Sequence, residues 1–267
     1  MSSFRMAHVR RFVASLATFG VLLLALAFAA SAFAKGVEES VVEGDHHYGV
    51  GHLAEARASY LSAVQASPGS FLALCRLSRS ESELGELQKG DEQRRTWSAA
   101  VEHARAAVKA APDSGSGHVW LAVALGRQAM REGAKTKLAL SREIKSETDR
   151  ALELDSALGR AWHVLAVWNV KVASLNAMER MAANAVLGGV PKGASFDNAE
   201  RGFQKAIQLE PEYLNHRLEY GRLLRSLKRN ADARRELEKA VSLPPTSSAL
   251  DVRYQAEAKE LLAKLGK

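Results

Sequence analysis

The stretch AERGFQKAIQLEP, Ala199–Pro211, is an amphipathic phrase closed by a proline. It returns as ARRELEKAVSLPP at 233–245, ARASYLSAVQASP at 56–68 and AVEHARAAVKAAP at 100–112. A looser copy, IKSETDRALELDS, occupies 144–156. Aligned on the last residue, the eighth position is alanine in every copy: Ala63, Ala107, Ala151, Ala206 and Ala240. The ninth is aliphatic (Val64, Val108, Leu152, Ile207, Val241), and the fifth is Tyr60, Ala104, Thr148, Phe203 and Leu237. Positions one, five, eight and nine share one side of a 3.6-residue period, so each phrase predicts a helix with an apolar stripe. Small residues in that stripe let a neighbouring helix approach to about 8–10 Å. The closing proline cannot extend a helix and biases the residue before it away from helical geometry.

A partner helix precedes each phrase. WHVLAVW at 162–168, RLEYGRLL at 217–224 and HVWLAVAL at 118–125 place small residues, Ala166, Gly221 and Ala122, where two helices would cross. A helix followed by a phrase of the form A-x-x-x-F…P is the tetratricopeptide pattern. One such pair cannot bury its own apolar face, so successive pairs stack. The fold predicted is all-α, a tetratricopeptide-type helix-pair solenoid over residues 35–267 with units ending near 68, 112, 156, 211 and 245. Those ends are 44 residues apart from 68 to 112 and from 112 to 156, then 55 to 211 and 34 to 245. Only the last step has the usual length of about 34. The 44-residue steps predict longer helices in both members of a pair. The 55-residue step holds an insertion read as a helix over 178–187, a glycine-proline loop, and Ser195 capping the next helix. VEESVVEGDHHYGVG, at 37–51, is polar and glycine-rich, which predicts a frayed first helix. Residues 249–266 predict an amphipathic helix whose Leu250, Tyr254, Leu261, Leu262 and Leu265 cover the last unit.

Residues 117–243 resemble a particular branch of tetratricopeptide proteins. KLALSREIKSETDRALELD, AWHVLAVW and GGVPKGASFDNAERGFQKAIQLEPE are similar to the regulator of microtubule dynamics family in register and insertions. Ser156 departs from the pattern, standing where a proline is usual. The resemblance implies an all-helical repeat fold with a binding or scaffolding role. It does not carry microtubule association over to an exported chain.

Export is the expectation raised by the first 34 residues. Arg5, Arg10 and Arg11 precede an apolar run from Phe12 to Ala34 that ends in Ala32-Phe33-Ala34, the plan of a secretory leader cut after Ala34. An uncleaved membrane anchor is the alternative, since about 20 apolar residues span a bilayer. After cleavage the chain is expected in the periplasm or outside the cell, with no stable membrane insertion. The absence of an Asn-x-Ser/Thr sequon favours the periplasm. Taking the three leader arginines from 37 basic residues leaves 34 against 30 acids, a formal charge of +4. That gives no basic footprint for nucleic acid. Cys75 is the single cysteine. No intramolecular disulfide is therefore available, and the fold must rest on its hydrophobic core.

Motifs for chemistry are missing. His46, His47 and His52 have no cysteine or carboxylate at metal-ligand spacing and read as solvated. GGVPKGAS lacks the spacing of a phosphate loop. Neither G-x-S-x-G nor H-E-x-x-H occurs. Trp97, Trp120, Trp162 and Trp168 read as core. No catalytic residue, cofactor or metal is expected, and an enzyme on a helical scaffold is the alternative function. The expected function is protein–protein interaction. In tetratricopeptide proteins the first helix of each pair lines a concave groove. That register sends Arg79, Arg127, Lys171, Arg222 and Arg225 into it, beside His163, Asn215 and Cys75. Such a ladder suits a protein or peptide partner offering an acidic segment or a C-terminal carboxylate, because the guanidinium fork pairs bidentately with carboxylates. Glu83 interrupts it.

Overall fold

The computed structural model describes residues 36–186, 189–245 and 250–265, so the proposed leader lies outside the described residues. Helices alternate along the chain. The first helices of the pairs are α1 (36–49), α3 (Phe71–Leu87), α5 (Gly115–Ala129), α7 (Gly159–Ala173) and α10 (Leu214–Ser226). The second helices, which carry the repeated phrase, are α2 (Leu53–Ala66), α4 (Gly90–Ala110), α6 (Ala134–Leu154), α9 (Phe196–Leu209) and α11 (Asn230–Ser242). Helix α8 (Ala177–Val186) is the insertion, and α12 (Asp251–Leu265) follows the last pair. The architecture is an all-α, tetratricopeptide-type solenoid.

The repeated alanines set the stack. Ala63, Ala107, Ala151, Ala206 and Ala240 are all fully buried, as are Tyr60 and Leu237 from the fifth position. At Gly221 a Cβ would stand 2.7 Å from Leu237 Cγ, so α10 and α11 cross at a separation that only glycine permits. Second helices α2, α4 and α9 end two residues before Pro68, Pro112 and Pro211. Helix α6 ends at Leu154 without a proline. There Asp155 Oδ1 accepts from the Ala157 amide at 2.8 Å, and this side-chain turn supplies the stop that Ser156 cannot.

The extra length of the long units is unequal. Helices α4 and α6 run 21 residues where α11 runs 13, while α3 and α5 run 17 and 15 where α10 runs 13, so both members of each long pair lengthen and the second more. Growth in the second helix extends the outer wall more than the inner one. The first helix is not frayed: 36–49 is helical with Val41 and Tyr48 buried against α2 and α3. Polar composition hid these two anchors. The Ser195 hydroxyl accepts from the Asn198 amide at 3.1 Å and caps α9. Of the tryptophans, Trp97 and Trp168 are core, but Trp120 and Trp162 are only half-buried. Trp162 spends its indole N–H on the Ser156 carbonyl at 2.9 Å.

Among the described residues, α3 packs on α5, α5 on α7 and α7 on α10, whereas the second helices make no comparable contact with one another. The first helices are therefore crowded together on the concave side, and the second helices fan out on the convex side. No helix of the described residues is long and apolar enough to cross a membrane.

Candidate functional site

Crowding of the first helices gathers their polar side chains into one network. Arg79 on α3 lies 3.5 Å above the Tyr48 ring of α1 and 5.9 Å from the Trp120 ring of α5. Tyr48 donates to Glu83 Oε1 at 2.6 Å. Glu83 is buried, and burial pushes its carboxyl above the usual range despite the Tyr48 hydrogen bond and the nearby arginines. Glu83 thus sits beneath Tyr48 on the inner wall, close to the arginines it was expected to interrupt.

Arg127 on α5 forms an ion pair with Glu86 on α3, and its Nη2 donates to Tyr254 Oη on α12 at 3.4 Å. Burial alone would favour the neutral guanidine, but Tyr254 and Glu86 hold it charged. Arg160, at the start of α7, lies 3.4 Å above the Tyr213 ring and donates through Nε to Glu210 Oε2 at 2.9 Å. Glu210 Oε1 also accepts from the Arg160 amide at 3.0 Å, so this carboxylate, fifty residues on, caps the N-terminus of α7. Burial opposes its ionisation, yet the His216 ring and the Arg160 guanidinium hold Glu210 at about 2. Gly159 makes room for it, because a Cβ there would meet Glu210 Cγ at 2.7 Å.

Two histidines sit beside this pair. His163 Nδ1 is 3.0 Å from His216 Nδ1, and His216 Nε2 is 3.4 Å from Glu210 Oε2. Burial, the neighbouring histidine and Arg160 all hold His163 in its neutral form. Burial also lowers His216, partly offset by Glu210. Asn215, likewise buried, has its Oδ1 without a hydrogen-bond partner among the described residues. A cleft of about 230 Å³ opens against the same corner, lined by Ser116, Val119, Trp120, Leu158, Arg160 and Glu210.

The groove residues named from sequence thus separate into two groups. Arg79, Arg127, His163 and Asn215 enter the network. Arg222 pairs instead with Glu219 and with Glu257 of α12. Lys171 and Arg225 are exposed near the C-terminal ends of α7 and α10, with no ion pair among the described residues. An unbroken ladder of open cations is not what the inner wall presents, since its arginines already face rings and carboxylates of the chain itself. Cys75 is buried, and burial with little relief from Arg76 pushes its thiol up to about 12. Sequence reasoning missed Glu86, Arg160, Glu210, Tyr213 and Tyr254. Glu210 was legible only as the residue before a phrase-ending proline, and Tyr254 only as part of a cap.

His47 and His52 stack with ring centroids 6.2 Å apart, while the His46 ring lies 5.8 Å from His47 and is tilted against it by 58°. Among the described residues no three His, Cys, Asp or Glu side chains converge as a metal site would require.

Comparison with known proteins agrees with this architecture. A thermophilic TPR protein of Thermus thermophilus superposes with a TM-score of 0.61 at 19% identity, covering 83% of this chain and 98% of that one. Yeast Tom70 gives a TM-score of 0.51 at 11% identity, over 85% of this chain and 39% of Tom70. In sequence, regulator of microtubule dynamics protein 3 of Rattus norvegicus is 30% identical over 196 residues, 73% of this chain and 41% of that protein. Regulator of microtubule dynamics protein 1 of Bos taurus is 28% identical over 248 residues, 92% of this chain and 77% of that protein. The chain therefore spans about two fifths of the protein 3 relatives it matches. The family model for regulator of microtubule dynamics proteins 1–3 matches residues 43–266, and the chain belongs to that family.

Proposed function

We propose that the chain is a protein-interaction scaffold whose concave face, lined by α3, α5, α7 and α10, holds a segment of a protein partner. The observation that carries this reading is the convergence of Arg79, Arg127 and Arg160, from three successive first helices, with Tyr48, Trp120, Tyr213 and Tyr254 on one wall. Aromatic rings and arginines contribute most per residue to protein interfaces. Lys171 and Arg225 extend the wall with cations that have no ion pair among the described residues, which supports an acidic segment or a C-terminal carboxylate as the ligand. Export after Ala34 is part of the same proposal. It places the chain where tubulin is absent, so the microtubule in the relatives' name is not the partner proposed.

The test is a titration of labelled acidic peptides, with free and amidated C-termini, against the wild type and a Lys171→Glu/Arg225→Glu variant. Binding at least tenfold weaker in a variant that keeps its helical content supports the basic wall. Equal binding by both proteins sinks it.

A second reading has one observation in its favour: the 230 Å³ cleft is lined by Glu210, whose carboxylate lies 3.4 Å from His216 Nε2. A small-molecule enzyme is the weaker reading because ligand sites usually run from about 300 Å³ upward. Glu210 is also already engaged by Arg160 and the α7 amide. Turnover in a metabolite screen, lost in Glu210→Gln, would reverse that order.

A further inference from the structure

A helix that only caps a solenoid needs an apolar side toward the last repeat and a polar side toward solvent. Helix α12 has the apolar side: Tyr254 and Ala258, with Leu250 just before the helix, pack with Leu214, Leu218, Leu237 and Ala240 of the last pair. Its polar edge does something that capping does not require. Arg253 Nη1 donates to the Glu86 carbonyl at 2.8 Å, and Tyr254 Oη donates to Glu86 Oε1 at 3.4 Å. Both contacts reach back to the end of α3, three units earlier. Tyr254 Oη also receives Arg127, and Glu257 receives Arg222. Glu257 lies four residues from Arg253 and three from Tyr254, so it neighbours both on the helix surface, and Arg253 Nε donates to Glu257 Oε1 at 3.0 Å. Through them α12 touches the first helices of the second, third and fifth units. Arg127 and Arg222, two of the cations that would meet an acidic segment, meet a phenol and a carboxylate of α12 instead.

We infer that α12 is a tethered ligand: it occupies part of the concave face in cis, and the segment that face takes in trans is a helix presenting a tyrosine and, three residues on, a carboxylate. This inference rests on the scaffold reading and names the partner's chemistry. Tethering sets the threshold for competition, because a segment held by a short connection acts at an effective concentration in the millimolar range. A partner helix must therefore bind the open face far more tightly than that to displace α12.

The experiment uses the full chain and a Tyr254→Phe/Glu257→Gln variant, which keeps the ring and the side-chain volumes of the cap, removes the Tyr254 hydroxyl and the Glu257 charge, and leaves Arg253 on the Glu86 carbonyl. The probe is a fluorescein-labelled peptide of residues 250–265, with a Tyr→Phe/Glu→Gln peptide as control. Hydrogen exchange on both proteins reports whether α12 loosens while α3–α9 stay protected. Should the double variant lose protection throughout, Glu257→Gln alone replaces it. The expected result is faster exchange confined to α12 and at least tenfold tighter peptide binding by the variant than by the wild type. That gain should disappear for the control peptide and when Arg127→Ala/Arg222→Ala is added. Unchanged exchange in α12, or a loosened α12 with equal peptide binding by both proteins, overturns the tethered ligand. The acidic peptides of the scaffold test are run on the same two proteins. If they bind both equally, the scaffold stands and the tethered ligand falls. If neither the acidic peptides nor the α12 peptide binds a loosened variant, both readings of this face fall together.

Discussion

His163 and His216 face each other Nδ1 to Nδ1 at 3.0 Å across the seam of α7 and α10. One ring must donate and the other accept, so the contact exists only while at least one imidazole is neutral. Both are held below the ordinary histidine range, chiefly by burial. The unfolded chain therefore binds more protons than the folded one below about pH 6.5, and stability falls with pH from that point. The slope is at most about 1.4 kcal/mol per pH unit for each ring. Thermal melts should give a lower Tm at pH 5.0 than at pH 7.5, with the difference much reduced in His163→Gln/His216→Gln. A Tm independent of pH over this range in the wild type would refute the assignment.

Acid should act a second time, through Glu210. Its carboxyl is held at about 2 from an ordinary 4.5, so its contribution is complete above about pH 4.5 and is lost as pH falls toward 2. Glu210→Gln should remove part of the unfolding between pH 4.5 and 3 while leaving the step near pH 6 in place. Circular dichroism along an acid titration of both proteins makes the comparison.

Glu81 carries the convex-side counterpart of this network. Its side chain is fully buried, with Arg57 Nε at 2.9 Å and His103 Nδ1 at 2.7 Å from its two oxygens. Removing both partners strands a carboxylate in the core, which costs about 3–5 kcal/mol. Removing the acid is cheaper, because Arg57 and His103 can turn to solvent. Chemical denaturation should rank Arg57→Ala/His103→Ala below Glu81→Leu in stability. The reverse order would mean that the carboxylate is hydrated.

The stacking alanines allow a sharper test of the fold. Ala206 is fully buried in the groove that the neighbouring helices leave for it. Ala206→Leu should destabilise by about 1–3 kcal/mol through overpacking. The same change at exposed Ala231 should be nearly neutral. Equal urea midpoints for the two variants would remove the alanine stripe from the account of stacking.

Cys75 should be silent in the native protein. Buried in α3 and with its thiol pushed up to about 12, it presents almost no thiolate at pH 8. Ellman's reagent should detect less than about a tenth of the thiol until denaturant is added. Rapid native labelling would instead point to an accessible, redox-active position.

Sequence alone determined the period. Alanine at the eighth position of every phrase and proline at the close of four of the five state where a helix can be approached and where it must stop, and both are local properties. The same local logic identified Ser195 as a cap and the amphipathic side of the last helix. It failed at 36–51, where two buried anchors, Val41 and Tyr48, were outnumbered by polar neighbours. The site was legible only in part, because periodicity says which residues face the concave side and nothing about what they meet there. Arg127 and Glu86 lie 41 positions apart, and Arg127 and Tyr254 are 127 apart. Whether an arginine on the inner wall stays open or finds a carboxylate depends on the small rotation from one unit to the next. That rotation sums the packing of every helix pair. Only the folded superhelix brings α12 back to the end of α3, and with it the phenol and carboxylate that occupy the groove.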